Sequence, residues 1–213
     1  AARTLARLLW QFFAHFTPSA ALVDEIATAA LASGRVNVRD ALRAIFTHAE
    51  FYGSAARTGK VRNPVEYVVG LLRALALPAP YDTAQRLDVV QYLMKDMGIQ
   101  LFHQPNVFGW WRRPETRWVS VPGFQARQLT AGYLAVVATQ NAAHALRGWV
   151  RGTPESALDT MFGALGAPQA ATSQVRARGV QLMNDLRTSG ADETTLAIRM
   201  FQFAAASPPA QMA

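Results

Sequence analysis

The sequence predicts an all-α fold, an irregular multi-helix bundle of about eight or nine helices with a long Trp-rich loop. Apolar residues recur at three- and four-residue spacing in the long segments, as in Leu5, Leu8, Leu9, Phe12, Phe13 and Phe16. This is the spacing of one helical face. Pro and Gly separate the segments, and no alternating run of β-forming residues is present. A chain of 213 residues is long enough to bury an extensive core.

Nine helices are predicted, each bounded by Pro, Gly or a capping side chain. Their ranges are close to 5–16, 19–34, 37–51, 64–77, 82–97, 124–150, 153–165, 172–190 and 192–203, with Gln169 an alternative start of the eighth. Residues 52–59 are small, polar and Gly-containing, so they are predicted to form a loop. Asn63 is predicted to cap the fourth helix, with Pro64 at its first position. The buried face of this helix is predicted to contain Val65, Val68, Val69 and Leu72.

Composition limits the classes of function. Only 16% of residues are charged, which predicts extensive burial, a partner surface or a membrane-proximal setting. The net charge of +7 comes almost entirely from Arg, but the arginines are scattered, so no nucleic-acid partner is predicted. The absence of Cys excludes disulfides, thiol catalysis and Cys-based zinc sites. No apolar run is long enough to span a membrane, although peripheral association with one stays possible.

The chain is expected to be a single helical domain, residues 1–213, and to be the C-terminal part of a longer chain. It begins within an amphipathic helix and without Met, as a processed or truncated chain would. The opening segment also lacks the small-residue cleavage pattern of a signal peptide. A possible sub-boundary lies near residues 98–123.

Residues 98–118, GIQLFHQPNVFGWWRRPETRW, hold three of the five Trp and show no helical or strand periodicity. Two adjacent Trp cannot easily face one core, so Trp110 or Trp118 is expected to pack on the helices. Trp111, Arg112 and Arg113 would then point outward, and Trp with Arg is a common pair at interface hot spots. His103 lies in the same loop and completes the candidate partner-binding set. The alternatives are a packed plug over the core and a stacking surface for a sugar or a porphyrin-like ring.

No catalytic residue, metal site or cofactor is predicted. The four His residues are isolated from one another and lack the spacing of zinc ligands on a helix. There is neither a G-x-S-x-G elbow nor a glycine-rich phosphate loop. Glu50 and Glu66 could form an acid and base pair only if the fold brings them close. Glu66 lies within helical reach of Arg62 and Arg73, which favours an ion pair or an N-terminal cap.

Four stretches, taken in order, carry a family resemblance. They are LARLLWQFFAHF with LVDEIA, VRDALRAIFTHAEFY, KVRNPVEYVVGLLRAL and MGIQLFHQPNVFGW, and a final AAASPPAQM follows them. The third contains Pro64, Glu66 and Arg73, and the fourth contains Pro105, Asn106 and Gly109. This series resembles the C-terminal half of DUF1800, a bacterial protein family of unknown function. In these motifs the six named residues are interpreted as structural, with Asn106 folding back on its own backbone as an Asx turn.

The resemblance implies an exported protein of the periplasm or cell envelope, since family members are often exported and encoded beside a second exported protein. No catalytic residues are established for the family, so none is transferred. The chain departs from the family pattern at Trp111, Arg112, Arg113 and Pro114, which stand where a Pro-Gly-Gly-like turn is usual. The main hypothesis is a non-enzymatic scaffold or accessory subunit that binds protein partners through this loop. The alternative is a hydrolase-like or carbohydrate-processing enzyme whose site lies partly in a missing N-terminal half.

Overall fold

The all-α prediction is confirmed by a computed structural model, which describes residues 1–77, 84–107, 118, 120–167 and 172–212. Over these ranges the regular structure is helical and contains no β-sheet. The helices are α1 (Ala2–Phe13), α2 (Ala20–Ala30), α3 (Val38–Thr47), α4 (Ser54–Arg57), α5 (Pro64–Ala74), α6 (Ala84–Asp96), α7 (Val121–Thr139), α8 (Ala145–Trp149), α9 (Pro154–Ala164), α10 (Ser173–Thr188), α11 (Glu193–Ala206) and α12 (Pro208–Gln211). A 3₁₀ turn, Ala49–Tyr52, precedes α4.

The helices group into two compact units. Residues 1–60 and the end of the chain from Met212 form the first, and Val61–Gln211 form the second. The division therefore follows Lys60. The expectation of a single domain with a sub-boundary near 98–123 stays a prediction, because part of that stretch lies outside the described residues.

In the first unit, α1 packs on α2 and α3 through small side chains around one large ring. Ala2, Ala6 and Trp10 are the buried residues of α1, and the Trp10 ring meets the rings of His15 and Phe51 edge to face. The predicted stripe was therefore wrong in part, since Leu8, Phe12 and Phe13 are exposed. Alanine lets two helices approach closely. In this unit α1 therefore packs through its Ala-containing face, although the exposed stripe of Leu and Phe side chains has the larger apolar area.

In the second unit, α11 is the central helix. It contacts α7, α8, α9, α10 and α12, and its most extensive contact is with α7. The buried face of α11 is formed by Leu196, Ala197, Met200, Phe201, Ala204, Ala205 and Ala206. Opposite it, α7 buries Ala131, Leu134, Ala135 and Ala138. The small residues of both helices explain how two long helices share so much surface.

Several element boundaries differ from the prediction, and α3, for example, ends at Thr47 rather than near Phe51. Residues 52–59 include α4 rather than forming only a loop, and the helix predicted to reach Val150 ends at Thr139. The Thr139 hydroxyl donates to the carbonyls of Ala135 and Val136, and the Asn141 side chain accepts from the Ala143 N–H. Polar side chains of this kind compete with the helical ladder for backbone partners. His144 then caps α8 by accepting from the Leu146 N–H.

The N-terminus of α5 was predicted correctly, and its buried face was predicted in part, since Val68 is buried while Val65 and Leu72 are half-buried. Asn63 Oδ1 accepts from the Glu66 N–H, Glu66 Oε2 accepts from the Asn63 N–H, and Pro64 occupies the first turn. Tyr67, Val68 and Leu71 are buried, whereas 37% of Val69 is exposed. The inward face of α5 is thus rotated by about one residue, or 100°, from the predicted one.

This rotation gives a matched pair of variants. We expect Val68→Asp to lower the free energy of unfolding by several kcal/mol, because it buries a carboxylate with no partner. Val69→Asp changes the same residue type at the neighbouring position and should cost less than about 1 kcal/mol. Urea unfolding of both variants and the wild type measures the difference. Equal losses in the two variants would contradict the observed face.

Candidate functional site in the second unit

A buried arginine organises one end of the second unit. Only 1% of Arg127, on α7, is exposed. Its Nη1 donates to Gln211 Oε1 over 2.9 Å, and its Nη2 donates to the carbonyl of Arg62 over 2.6 Å. The guanidinium carbon lies 4.9 Å from the ring centroid of Tyr67, a cation–π distance. These contacts join three elements, namely the start of α5, helix α7 and helix α12.

Tyr67 completes this buried polar network. Its hydroxyl lies 3.2 Å from the carbonyls of Arg127 and Ala205, and Gln211 Nε2 donates to the same Ala205 carbonyl. Burial raises the pKa of Tyr67 to about 12 and lowers the pKa of Arg127 from its ordinary value. Both shifts follow from removing a charged form from water. No carboxylate forms an ion pair with Arg127 in the described part of the chain, so neutral oxygens and a ring hold the cation.

The network fixes the turn between α11 and α12, and that turn closes one end of a surface groove. The groove has a volume of about 640 Å³ and lies between α7, α10 and α11. Its apolar lining consists of Phe124, Val175, Leu182, Leu186, Phe203, Ala206 and Pro208. Its polar lining consists of Gln128, Gln174, Arg178, Arg199, Gln202 and Ser207. The groove is therefore apolar at its floor and edged by amides and two cations, with no carboxylate among the described lining residues.

A second, smaller cavity continues the groove along α7 and α11. Arg199 and Gln202 line both cavities, and the smaller one adds Leu129, Gly132, Tyr133, Val136, Thr195 and Ile198. Leu129, Tyr133 and Val136 lie on one exposed side of α7, and 60% of Leu129 is exposed. We call this continuous surface the α7–α11 track.

Close helix packing under the groove depends on Gly179. A Cβ atom at this position would lie 2.8 Å from Leu158 Cδ2 and 2.8 Å from Phe203 Cε1. Both distances are too short for carbon atoms that are not bonded. Gly179 thus lets α10 lie against α9 and α11. This contact positions the wall of the groove that Val175 and Arg178 of α10 form.

The structure describes part of the predicted Trp-rich loop. His103, Pro105 and Asn106 are exposed, and Trp118 is half-buried. Gly109, Trp110, Trp111, Arg112 and Arg113 lie outside the described residues, so their predicted roles stay predictions. Of the described part, Phe102 is 87% exposed and Val107 is 95% exposed. Phe102 also has a φ of 64°, an unusual backbone conformation for an aromatic residue.

The structure places the three residues of the third motif that were interpreted as structural on α5. Glu66 forms a capping box with Asn63, Pro64 lies in the first turn, and Arg73 is exposed in the last turn. The carboxylate of Glu66 is therefore used in a cap. No group of three or more His, Cys, Asp or Glu that could hold a metal occurs in the described ranges. None of the described helices has the length and apolar character needed to cross a membrane.

A comparison with protein families identifies the chain. A family model described as "Protein of unknown function (DUF1800)" matches residues 1–212. The chain belongs to the DUF1800 family. This confirms the resemblance based on the four motifs. No curated protein and no solved structure matches the chain.

Neither the groove nor Arg127 was predicted from the sequence of this DUF1800 chain. One pattern in α7 is a signal for Arg127. From Phe124 to Val137 a single charged residue interrupts a helix that is largely apolar around its circumference, and this residue is Arg127. A helix of this kind is covered on more than one side. In the structure one side meets α11 while the outer side stays exposed along the track.

The network predicts that Arg127 contributes strongly to the stability of the protein. We expect Arg127→Met to lower the free energy of unfolding by about 2–5 kcal/mol, because the Gln211 amide and the Arg62 carbonyl lose their buried donor. Arg199→Met makes the same change at an exposed side chain and should cost less than about 1 kcal/mol. Thermal and urea unfolding measure both. A network without structural importance would give the two variants the same stability.

The raised pKa of Tyr67 predicts a loss of stability at alkaline pH. Between pH 10.0 and about 12 the native state keeps a proton that the unfolded state releases, so stability falls as pH rises through this window. The full effect is on the order of 2–3 kcal/mol, at about 1.4 kcal/mol per unit of pKa. Urea unfolding across this window measures it. Tyr67→Phe should remove this part of the slope, and an unchanged slope would contradict the assignment to Tyr67.

Proposed function

We propose that this DUF1800 chain is a non-enzymatic scaffold or accessory subunit that binds a partner protein along the α7–α11 track. The observation that carries the proposal is the groove of about 640 Å³, with an apolar floor and two arginines at its edges. Protein interfaces have this composition, an apolar centre rich in aromatic residues and Arg with a polar rim.

The exposed side of α7 adds a physical argument. Water-exposed apolar side chains are common singly, but contiguous ones mark interaction sites. Leu129, Tyr133 and Val136 are neighbours on one face of α7, and they line the smaller cavity, which shares Arg199 and Gln202 with the groove. A partner that covers them gains hydrophobic free energy of about 25 cal/mol for each Å² removed from water. The floor beneath them is held by the α7 and α11 contact, so the surface is formed before the partner arrives.

The Trp-rich loop is proposed as a second contact with the partner. Phe102 and Val107 at its described edge are almost fully exposed, and an apolar loop edge of this kind suits a protein interface. Trp111, Arg112 and Arg113 would extend this contact. An exported or cell-envelope location, as the resemblance implies, is part of the same proposal.

Site-specific photo-crosslinking in the native source tests the proposed function. A photoreactive residue replaces Leu129 on the track, and in a matched protein it replaces Asn184, which is exposed on α10 but does not line the groove. We expect one partner segment to be captured from Leu129 and not from Asn184. Mass spectrometry identifies the segment, which is then synthesised as a peptide for binding measurements.

The binding measurements separate the two proposed contacts. Leu129→Asp should weaken binding of the captured peptide at least tenfold without changing the melting temperature, because the side chain is exposed and a charge opposes apolar burial. The double variant Trp111→Ala with Arg112→Ala tests the loop in the same way. Equal capture at Leu129 and Asn184, or full binding by Leu129→Asp, would overturn the proposal that the track is the partner site.

A further inference from the structure

The proposed function leaves open what kind of segment lies on the track. We infer that the occupant is an amphipathic α-helix whose polar edges carry Asp or Glu. This inference rests on the proposed function and adds the chemistry of the partner. It depends on three features of the second unit: two arginines that have no partner among the described residues, nearby carboxylates with other roles, and the spacing of the exposed side chains of α7.

Arg178 and Arg199 differ from the other arginines of the region. Seven arginines lie between Val121 and Met212. Five have partners: Arg127 and Arg147 bind backbone or amide oxygens, Arg187 binds two carbonyls, and Arg151 and Arg176 pair with Glu193 and Asp159. Arg178 and Arg199 make no hydrogen bond or ion pair with another described residue, and both line the groove. Guanidinium groups beside an apolar floor are well placed to bind carboxylates.

The chain supplies no described carboxylate for these two arginines. Five Asp or Glu residues lie in the same region. Asp159 and Glu193 form the ion pairs above, Asp185 accepts from Gln181, and Asp192 caps α11 by accepting from the Thr195 N–H. The fifth, Glu155, is in the first turn of α9, where the helix dipole favours it. The positive edge of the groove is therefore left for acidic groups of a partner.

The shape of the track favours a helix over an extended strand. Leu129, Tyr133 and Val136 are spaced by four and three residues, so they form a ridge along α7. Ridges of this kind pack into the grooves of a second helix. From Leu129 to Val136 the ridge is about 10 Å long at about 1.5 Å per residue, which matches roughly two turns of a partner helix. A strand would instead need an exposed sheet edge, and the described residues contain no sheet.

Arg199 is placed to contact such a helix near its middle. It lines both cavities, whereas Arg178 lines only the larger one. Between the cavities the Gln202 side chain lies over Gly132 and donates to the Gln128 carbonyl. A partner helix on the track would therefore meet Arg199 near its centre and Arg178 near one end. Acidic residues about two turns apart on its polar edge fit this placement.

Two matched synthetic peptides test the inference. Both are helix-forming, about 18 residues long and carry Leu along one face, but one has Glu and the other Lys along the edges of that face. Fluorescence anisotropy measures their binding to the wild-type chain. We expect the Glu peptide to bind at least tenfold more tightly, with a preference that declines as salt screens the charges.

A charge-reversal variant supplies the decisive comparison. Arg178→Glu with Arg199→Glu should reverse the preference, so that the Lys peptide binds more tightly. Arg35→Glu with Arg39→Glu makes the same change of net charge at exposed arginines of the first unit, and it should keep the preference for Glu. Circular dichroism of both double variants establishes that the helical fold is retained.

Other outcomes overturn the inference in distinguishable ways. Equal binding of the two peptides, abolished by Leu129→Asp but unaffected by the charge reversal, would reject an acidic partner and leave the proposed function standing. Binding to anionic lipid vesicles that depends on Arg178 and Arg199, with no peptide binding, would identify a lipid surface instead. If neither peptide nor vesicle binds, the inference is wrong, and the crosslinking result alone then decides the proposed function.

Discussion

The buried guanidinium of Arg127 is the constraint on which the second unit depends. An arginine cannot lose its charge at ordinary pH, so its burial requires fixed acceptors around it. Here the acceptors are the Gln211 amide and the Arg62 carbonyl, with the Tyr67 ring against the guanidinium. Segments far apart in sequence must therefore meet at one point. The turn after α11 is held there, and with it the end of the groove.

Burial of apolar side chains holds the helices of the same unit together. The Ala-rich faces of α7 and α11 allow the most extensive helix contact in the described structure, and Gly179 admits α10 beside them. Tight packing occupies the inner side of α7, and its outer side meets no other described helix of the second unit. Rigid support below an exposed apolar ridge is the arrangement that the proposed function requires, because little conformational entropy is then lost on binding.

How far the sequence predicted the structure depended on whether an interaction was local. The cap formed by Asn63, Pro64 and Glu66 was predicted, since all its atoms belong to adjacent residues. The exposure of Val69 was not, because which side of α5 faces inward is set by α6 and α7. The groove joins three helices and has no pattern of its own in the sequence. Trp111, Arg112 and Arg113 lie outside the described residues, so the prediction for them has not been tested.

The separation of the network residues along the chain also has a consequence during synthesis. Gln211 follows Arg127 by 84 residues. Until the ribosome has added Gln211, Arg127 lacks one of its two acceptors, and burying it would leave a charged donor unpaired. A nascent chain that ends before this point keeps the guanidinium hydrated and α7 incompletely covered. The second unit therefore reaches its native packing only after the segment that contains Gln211 has been translated.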